Sequence, residues 1–310
     1  MKIYNFIAIV SFGFFANSLY SQPSVNTALG GSAQKVPNIN SKADDHAPFI
    51  ARNGLTMYFA SNRFGKTHIY YSKRKDLNSP WPDPEYCKIT SNPQDYVNYL
   101  SLDGIGKFYF ESNRETRIKG DINIWEGFGL DSVTTIRPLP DPVNTIKWEG
   151  QPSVTNEGKD IYFVSNRESP AGSLEMLADI FVTHRNSDGT WTAPQNLGPQ
   201  INIGIYNTTP FISPDGRFLF FASKEKKGIE IKRKIYMSER TGPKDIDWAK
   251  PVLLPSPINS DKDDIGPMVA SDGKTIYFSS NRDGGSGLDI YEAELPQKIQ
   301  TLIYESFVKK

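Results

Sequence analysis

One cysteine, Cys87, stands in the 310 residues, so no intramolecular disulfide staples the fold and stability has to come from burial. Charge of one sign is also missing. With 35 basic and 35 acidic residues there is no net field to attract nucleic acid or an anionic membrane. Familiar catalytic signatures are absent: no G-x-S-x-G, no H-E-x-x-H and no C-x-x-C occurs, and His46, His68 and His184 are far apart in the chain. The glycine-rich "NRDGGSG" at 281–287 joins strand to strand, not strand to helix, which excludes a phosphate loop. Long apolar runs are lacking except at the start, where Lys2 precedes "IYNFIAIVSFGFFA" and then "NSLYSQ". This reads as a secretory signal over 1–21, cleaved before Gln22 and too short for a membrane span. No cysteine near the cut offers a lipid anchor. The expected location is periplasmic or secreted, with no membrane span after cleavage.

What the chain does have is repetition. "TMYFASNR" ends at Arg63, "KFYFESNR" at Arg114, "DIYFVSNR" at Arg167, "FLFFASKE" at Glu225 and "TIYFSSNR" at Arg282. Gly54, Gly104, Gly158, Gly216 and Gly273, in the turn before each aromatic segment, set a register of 50 to 58 residues, the period of a repeat architecture. Each unit offers a short strand, a two-residue turn whose glycine is free to take positive φ, the aromatic strand, a polar loop and a third strand such as "DIFVTHR" at 179–185. A fourth strand follows at "EYCKIT", "TTIRPL", "PQNLG" and "PVLLP", often after Trp81, Trp191 or Trp248. Four short antiparallel strands per unit predict an all-β fold, a β-propeller of five blades, spanning 22–310 as one domain with repeats near 44–94, 95–147, 148–205, 206–262 and 263–295. "VPNINSKADDHAP" at 36–48 echoes "SPINSDKDDIGP" at 256–267, so residues 33–40 are expected to close the last blade. The tail "IQTLIYESF" at 299–307 also reads as a strand and competes for that place, and a sixth, incomplete blade is the alternative.

"SPDGRFLFFAS" at 213–223 and "SDGKTIYFSSNRDGGSGLDIYEAEL" at 271–295 resemble the WD40-like propeller repeat of the TolB type, found in exported bacterial proteins. The resemblance covers essentially the whole mature chain and implies the fold. Function is not implied, because such repeats serve as scaffolds, binding platforms and enzyme domains alike. The separate N-terminal α/β domain of that family has no counterpart, so its role in the Tol-Pal system is not carried over.

Two registers contain candidate functional residues. Arg114, Arg167 and Arg282 precede third strands headed by Asp121, Asp179 and Asp289, whereas Glu225 precedes Lys234; this sign reversal predicts structural ion pairs across the hairpin. Nine residues before each turn glycine stand Asp45, Asp95, Glu149, Asn207 and Asp264, which offer the arginines alternative partners. With His46, Tyr96, Trp148 and Tyr206 alongside, they describe an acidic, aromatic rim at one mouth of the channel, suited to a sugar, a cation or a basic peptide. No cofactor or metal is expected, although "DKDD" at 261–264 could hold Ca2+.

The leading reading is an exported, monomeric, non-catalytic propeller binding a protein or glycan partner in the cell envelope or outside the cell, with no nucleic acid. The alternatives are a carbohydrate-active hydrolase or lyase using two rim carboxylates, and a scaffold subunit engaged through the loop "ESPAGSLEMLA" at 168–178.

Overall fold

A computed structural model describes residues 31–89, 96–114, 122–129, 135–169, 177–224, 232–285 and 287–308. The chain forms five four-stranded antiparallel sheets arranged as the blades of a propeller. After β1 (Gln34–Lys35), blade 1 comprises β2 (Asp45–Ile50), β3 (Thr56–Ser61), β4 (His68–Lys73) and β5 (Glu85–Tyr86). Blade 2 comprises β6 (Val97–Leu102), β7 (Lys107–Ser112), β8 (Asn123–Phe128) and β9 (Thr135–Pro138). Blade 3 comprises β10 (Glu149–Val154), β11 (Asp160–Ser165), β12 (Asp179–His184) and β13 (Gln195–Asn196). Blade 4 comprises β14 (Tyr206–Ile212), β15 (Phe218–Lys224), β16 (Arg233–Glu239) and β17 (Val252–Leu253). Blade 5 comprises β18 (Asp264–Val269), β19 (Thr275–Ser280) and β20 (Asp289–Glu294), with β1 as its fourth strand, paired through Gln34↔Glu292 and Lys35↔Tyr291. The proposed signal at 1–21 lies outside the described residues.

The aromatic strands build the core. Phe59, Phe110, Phe163, Phe221 and Phe278, one from the second strand of each blade, are fully buried, each stabilising the fold by roughly 1.5–3 kcal/mol. Their neighbours Ala60, Tyr109, Tyr162, Phe220 and Tyr277 are buried too, so these strands are covered on both faces. That explains near-continuous apolar runs where a half-exposed sheet would alternate.

The tail is a helix, α1 (Gln297–Val308), not a strand. Its buried residues, Gln300, Ile303, Ser306 and Phe307, follow the three- and four-residue spacing of one helical face, and Phe307 stacks on Phe211 with ring centroids 6.1 Å apart. With β1 already paired to β20, that edge of blade 5 is taken, and the tail caps the turn face through its apolar stripe. Among the described residues no helix is long and apolar enough to cross a membrane.

Every inner strand is bulged at the same place, where Ala47, Tyr99, Gln151, Thr209 and Gly266 have φ of 53, 47, 54, 50 and 61°. Left-handed backbone at four non-glycine residues is costly and persists because each bulge amide is bonded. Four of the five reach a neighbouring blade: Ala47 N donates to Ser279 Oγ, Gln151 N to Glu111 Oε2, Thr209 N to Gln151 Oε1 and Gly266 N to Thr209 Oγ1. These bonds draw the blades together, and at the level of the bulges the space enclosed by the five inner strands is only about 40 Å³.

Candidate functional site at the channel mouth

The repeated Ser-Asn-Arg acts as a clamp at the end where the inner strands begin. In blade 5, Ser280 Oγ donates to Asp264 Oδ1 at 2.7 Å, and Asn281 Oδ1 accepts the amide of Asp263 at 3.0 Å. Arg282 folds back to Asp264 at 2.8 Å and to the carbonyls of Pro257 and Ile258. Blade 3 repeats the arrangement: Ser165 bonds Glu149 at 2.9 Å, Asn166 accepts Trp148 N, and Arg167 lies 3.4 Å from Glu149 and donates to Val143 O. In blade 1, Arg63 meets Asp45 at 2.7 Å while Asn62 accepts Asp44 N. Each guanidinium also lies over two rings of its own blade, Phe163 and Phe181 for Arg167, Phe278 and Tyr291 for Arg282.

These pairings differ from the cross-hairpin ion pairs that the sign reversal predicts. Ser165 lies opposite Asp179 and Ser280 opposite Asp289, so the arginines, two residues further on, are past the strand ends and turn inward over the rings. The third-strand heads of blades 3 and 4 instead serve the next blade, and that of blade 5 serves the closing strand β1 of its own sheet. Asp179 accepts Asn207 Nδ2 at 3.1 Å, Lys234 lies 3.4 Å from Asp264, and Asp289 binds Lys35 at 2.8 Å. Arg114 lies over Phe110 and Trp125; Asp121 and Glu225, the partner residues foreseen for blades 2 and 4, are outside the described residues.

The acids themselves are enclosed. Asp45, Glu149 and Asp264 have no exposed surface, and each also accepts the amide and hydroxyl of the residue four before it, Ser41, Thr145 or Ser260. Asn207 is equally buried and bonded to Gly204 N, Ser223 and Asp179. They brace the blades and form no open rim. In blade 2 the counting register itself slips: Asp103 N donates to Lys107 O across three residues where Ala51 N reaches Thr56 O across four, and the residue opposite Ser112 is Val97. Asp95 is outside the described residues. Two of the three carboxylates of "DKDD" hold arginines, Asp263 with Arg233 and Asp264 with Arg282.

The mouth is made by the residues just before those braces: Asp44, Tyr96, Trp148, Tyr206 and Asp263, one per blade. Three consecutive blades thus present half-buried aromatics and the other two present acids. In every blade but the fourth their backbone is held by a clamp asparagine, which links the repeated motif to the mouth it positions. One layer deeper stand His46, Asn98, Gly150, Thr208 and Ile265. His46 Nδ1 and Thr208 Oγ1 are buried there without a hydrogen-bond partner among the described residues. Burial lowers the His46 pKa, so the ring is neutral at pH 7. Arg233 is fixed edge-on by Asp263, with Nε and Nη2 on the two carboxylate oxygens, and lies over Tyr206 at 5.8 Å.

Beneath the aromatic half lies Glu111, only 2% exposed. Tyr96 Oη donates to it at 3.1 Å and Gln151 N at 2.9 Å, while Asn98 Nδ2 supports the Tyr96 hydroxyl at 2.7 Å. Burial pushes its carboxyl pKa up to about 7. Sequence reasoning passed over Glu111, although the signal was there: its column in the other repeats holds Ala60, Val164, Ala222 and Ser279. Arg233 breaks its own column in the same way, among Thr67, Ile122, Ala178 and Leu288. Departures from the repeat, more than the repeat, mark the mouth.

The opposite face carries a cleft of about 690 Å³ between blades 3 and 4. There His184 bridges Asp160 (2.8 Å) in its own blade and Asp245 (2.9 Å) in the next, and its hydrogen bonds to these carboxylates raise its pKa to about 9. Since the folded pKa lies above the unfolded 6.5, this latch stabilises fully below pH 6.5 and is lost as pH rises through about 9. The ring is more than a third exposed, so screening limits the gain to about 1 kcal/mol. Melting curves should show the wild type losing about 2–4 °C more than His184→Gln between pH 7 and 10. Parallel losses in the two proteins would dismiss the latch.

The sequence matches no protein-family model and no curated protein sequence. In structure the chain is similar to a thermostable family-43 glycoside hydrolase, at 11% identity and TM-score 0.56 over 84% of this chain and 92% of that one. It is also similar to the endo-arabinase from Bacteroides thetaiotaomicron, at 16% and 0.51 over 86% and 97%. TolB from Acinetobacter baumannii aligns at 13% and 0.46 over 82% of this chain, which spans 55% of that protein's length. At these identities the likeness establishes the five-bladed propeller class and no activity.

Proposed function

We propose that this chain is an exported, non-catalytic propeller whose channel mouth binds a carbohydrate. The observation that carries the reading is the run of Tyr96, Trp148 and Tyr206 at one register of three consecutive blades, beside the unpartnered His46 Nδ1 and Thr208 Oγ1. Aromatic faces take up the apolar side of a sugar ring, and buried polar atoms lacking partners are met by its hydroxyls. The channel is too narrow to thread a chain, so recognition takes place on the mouth surface. The apolar amino terminus supports export, and the fold neighbours that act on arabinan make arabino-oligosaccharides a sensible first probe.

Titration calorimetry with arabino-, xylo- and gluco-oligosaccharides tests this. Trp148→Ala is expected to weaken binding about tenfold by removing roughly 1.5 kcal/mol of ring contact. No binding at millimolar sugar, or binding indifferent to Trp148, would end the reading.

A second reading, glycoside hydrolysis, is favoured by one feature: a carboxyl that holds its proton near pH 7, as Glu111 does, is suited to general acid catalysis. Against it, Asp263 is committed to Arg233, and Asp45, Glu149 and Asp264 are enclosed in the braces. Release of reducing sugar by the wild type, lost in Glu111→Gln, would move the assignment to hydrolase.

A further inference from the structure

We propose that the sugar selected at this mouth carries a free, protonated amine, an amino sugar whose ammonium docks beside Glu111. The inference rests on the carbohydrate reading and narrows it.

Among the described residues, Glu111 differs from the other buried acids of this face in having no counter-ion. Asp45, Glu149, Asp263 and Asp264 each have an arginine within 3.4 Å. Its bonding partners among the described residues are neutral: the Tyr96 hydroxyl, with Asn98 behind it, and the Gln151 amide. Its structural task does not require a charge. In blade 5, Ser279 stands in the same column and accepts the bulge amide of Ala47 at 3.1 Å with a neutral hydroxyl. The bond to Gln151 therefore explains an acceptor at position 111 but not a carboxylate.

The surroundings favour a cation. Tyr96 and Trp148 flank Glu111, and electron-rich ring faces attract ammonium groups most strongly where water is thin. Gly150 lets them crowd together: a Cβ there would lie 2.1 Å from Glu111 Oε2 and 3.2 Å from Trp148 Nε1, so carboxylate and indole share one corner. On the far flank the chain supplies a cation of its own, Arg233 over Tyr206, neutralised by Asp263. Among the described residues no cation lies over Trp148 or Tyr96. Burial without a counter-ion keeps the Glu111 carboxyl near its titration point, and an arriving ammonium would draw it to the ionised form. A neutral sugar leaves that carboxylate uncompensated, whereas an amino sugar brings the missing charge.

The test is calorimetric titration of the full chain at pH 7 with the tetramers of glucosamine, N-acetylglucosamine and glucose, and with tetralysine. The glucosamine tetramer is expected to bind at least about tenfold tighter than the two neutral tetramers, as a charge-assisted hydrogen bond implies. Glu111→Gln should abolish that preference while keeping the weaker neutral binding. Glu111→Ser, patterned on Ser279, serves the same purpose should the glutamine variant fail to fold. Equal affinity for the three sugars, unchanged by Glu111→Gln, overturns the amine inference and leaves the carbohydrate reading standing. Tetralysine binding that depends on Glu111, with no sugar bound, overturns the amino sugar and reassigns the ammonium site to a peptide. Absence of binding to all four probes overturns the amine inference, and the carbohydrate reading falls with it if the arabino- and xylo-oligosaccharides also fail to bind.

Discussion

Asp264→Ala should lower the unfolding free energy by about 3–5 kcal/mol, the loss expected when one member of a buried, multiply bonded ion pair is removed. Five groups converge on this side chain: Ser260 N and Oγ, Ser280 Oγ, Arg282 at 2.8 Å and Lys234 at 3.4 Å. Removing the carboxylate leaves two part-buried cations without the counter-charge they share. It also releases the loop from 260 to 263, and with it the mouth residue Asp263. Urea denaturation measures the effect as a lower midpoint at unchanged slope. A loss under about 1 kcal/mol would mean that the brace is ornamental.

Blade 4 supplies the internal comparison. There the same position is Asn207, no clamp arginine follows, and the preceding third strand is headed by Asp179 where blade 4 offers Lys234 to blade 5. The charge pattern runs from one blade to the next, not across a hairpin. Asp264→Asn alone should therefore cost less than alanine but leave Lys234 and Arg282 without a counter-charge. Adding Lys234→Asp restores the Asp–Asn pair of blades 3 and 4, and part of the stability should return.

That comparison also shows what the sequence could and could not reveal. Blade number, strand order and the closing role of residues 33–40 are legible because turn glycines, aromatic strands and linker echoes repeat at one period, and all of these are local. Partner choice is not local. The reversal at Glu225 and Lys234 is visible, but whether Lys234 serves its own hairpin or the next blade depends on how the blades pack. A single shortened turn in blade 2 places Asp95 where Val97 stands, since counting from a glycine assumes equal hairpins. The tail misleads for a related reason: "IQTLIYESF" has the composition of a strand, and its helical stripe becomes decisive only once β1 holds the edge it would need. Glu111 is legible as the charged exception in its column.

Closure of the ring makes the second large effect. The segment before Ser41 adds only two ladder residues to blade 5, yet it buries Val36 and Ile39, at 1% and 0% exposure, in the cluster that joins blades 5, 1 and 4. Asn40 mimics a further strand residue, accepting Ile290 N at 2.7 Å and donating to Ile290 O at 2.9 Å, as Asn144, Asn202 and Asn259 do for Ile124, Ile180 and Ile235. At roughly 1.5–3 kcal/mol for each buried aliphatic side chain, a chain beginning at Ser41 should lose about 3–6 kcal/mol. That is much of the margin of an ordinary domain. Asn40→Ala isolates the side-chain strand from the hydrophobic part and should cost about 1–3 kcal/mol, because it leaves the buried amide of Ile290 unbonded while the Ile290 carbonyl keeps its bond from Val36 N at 3.0 Å. Both are read by chemical denaturation, with Trp81 fluorescence as a local reporter, since Asn38 bonds the Trp81 carbonyl at 2.9 Å. Blades 1 and 5 contact each other directly through β2 with β18 and β19 as well. If the truncated chain kept its midpoint, those inner-strand contacts alone would be closing the ring, and β1 would be a passenger on its outer edge.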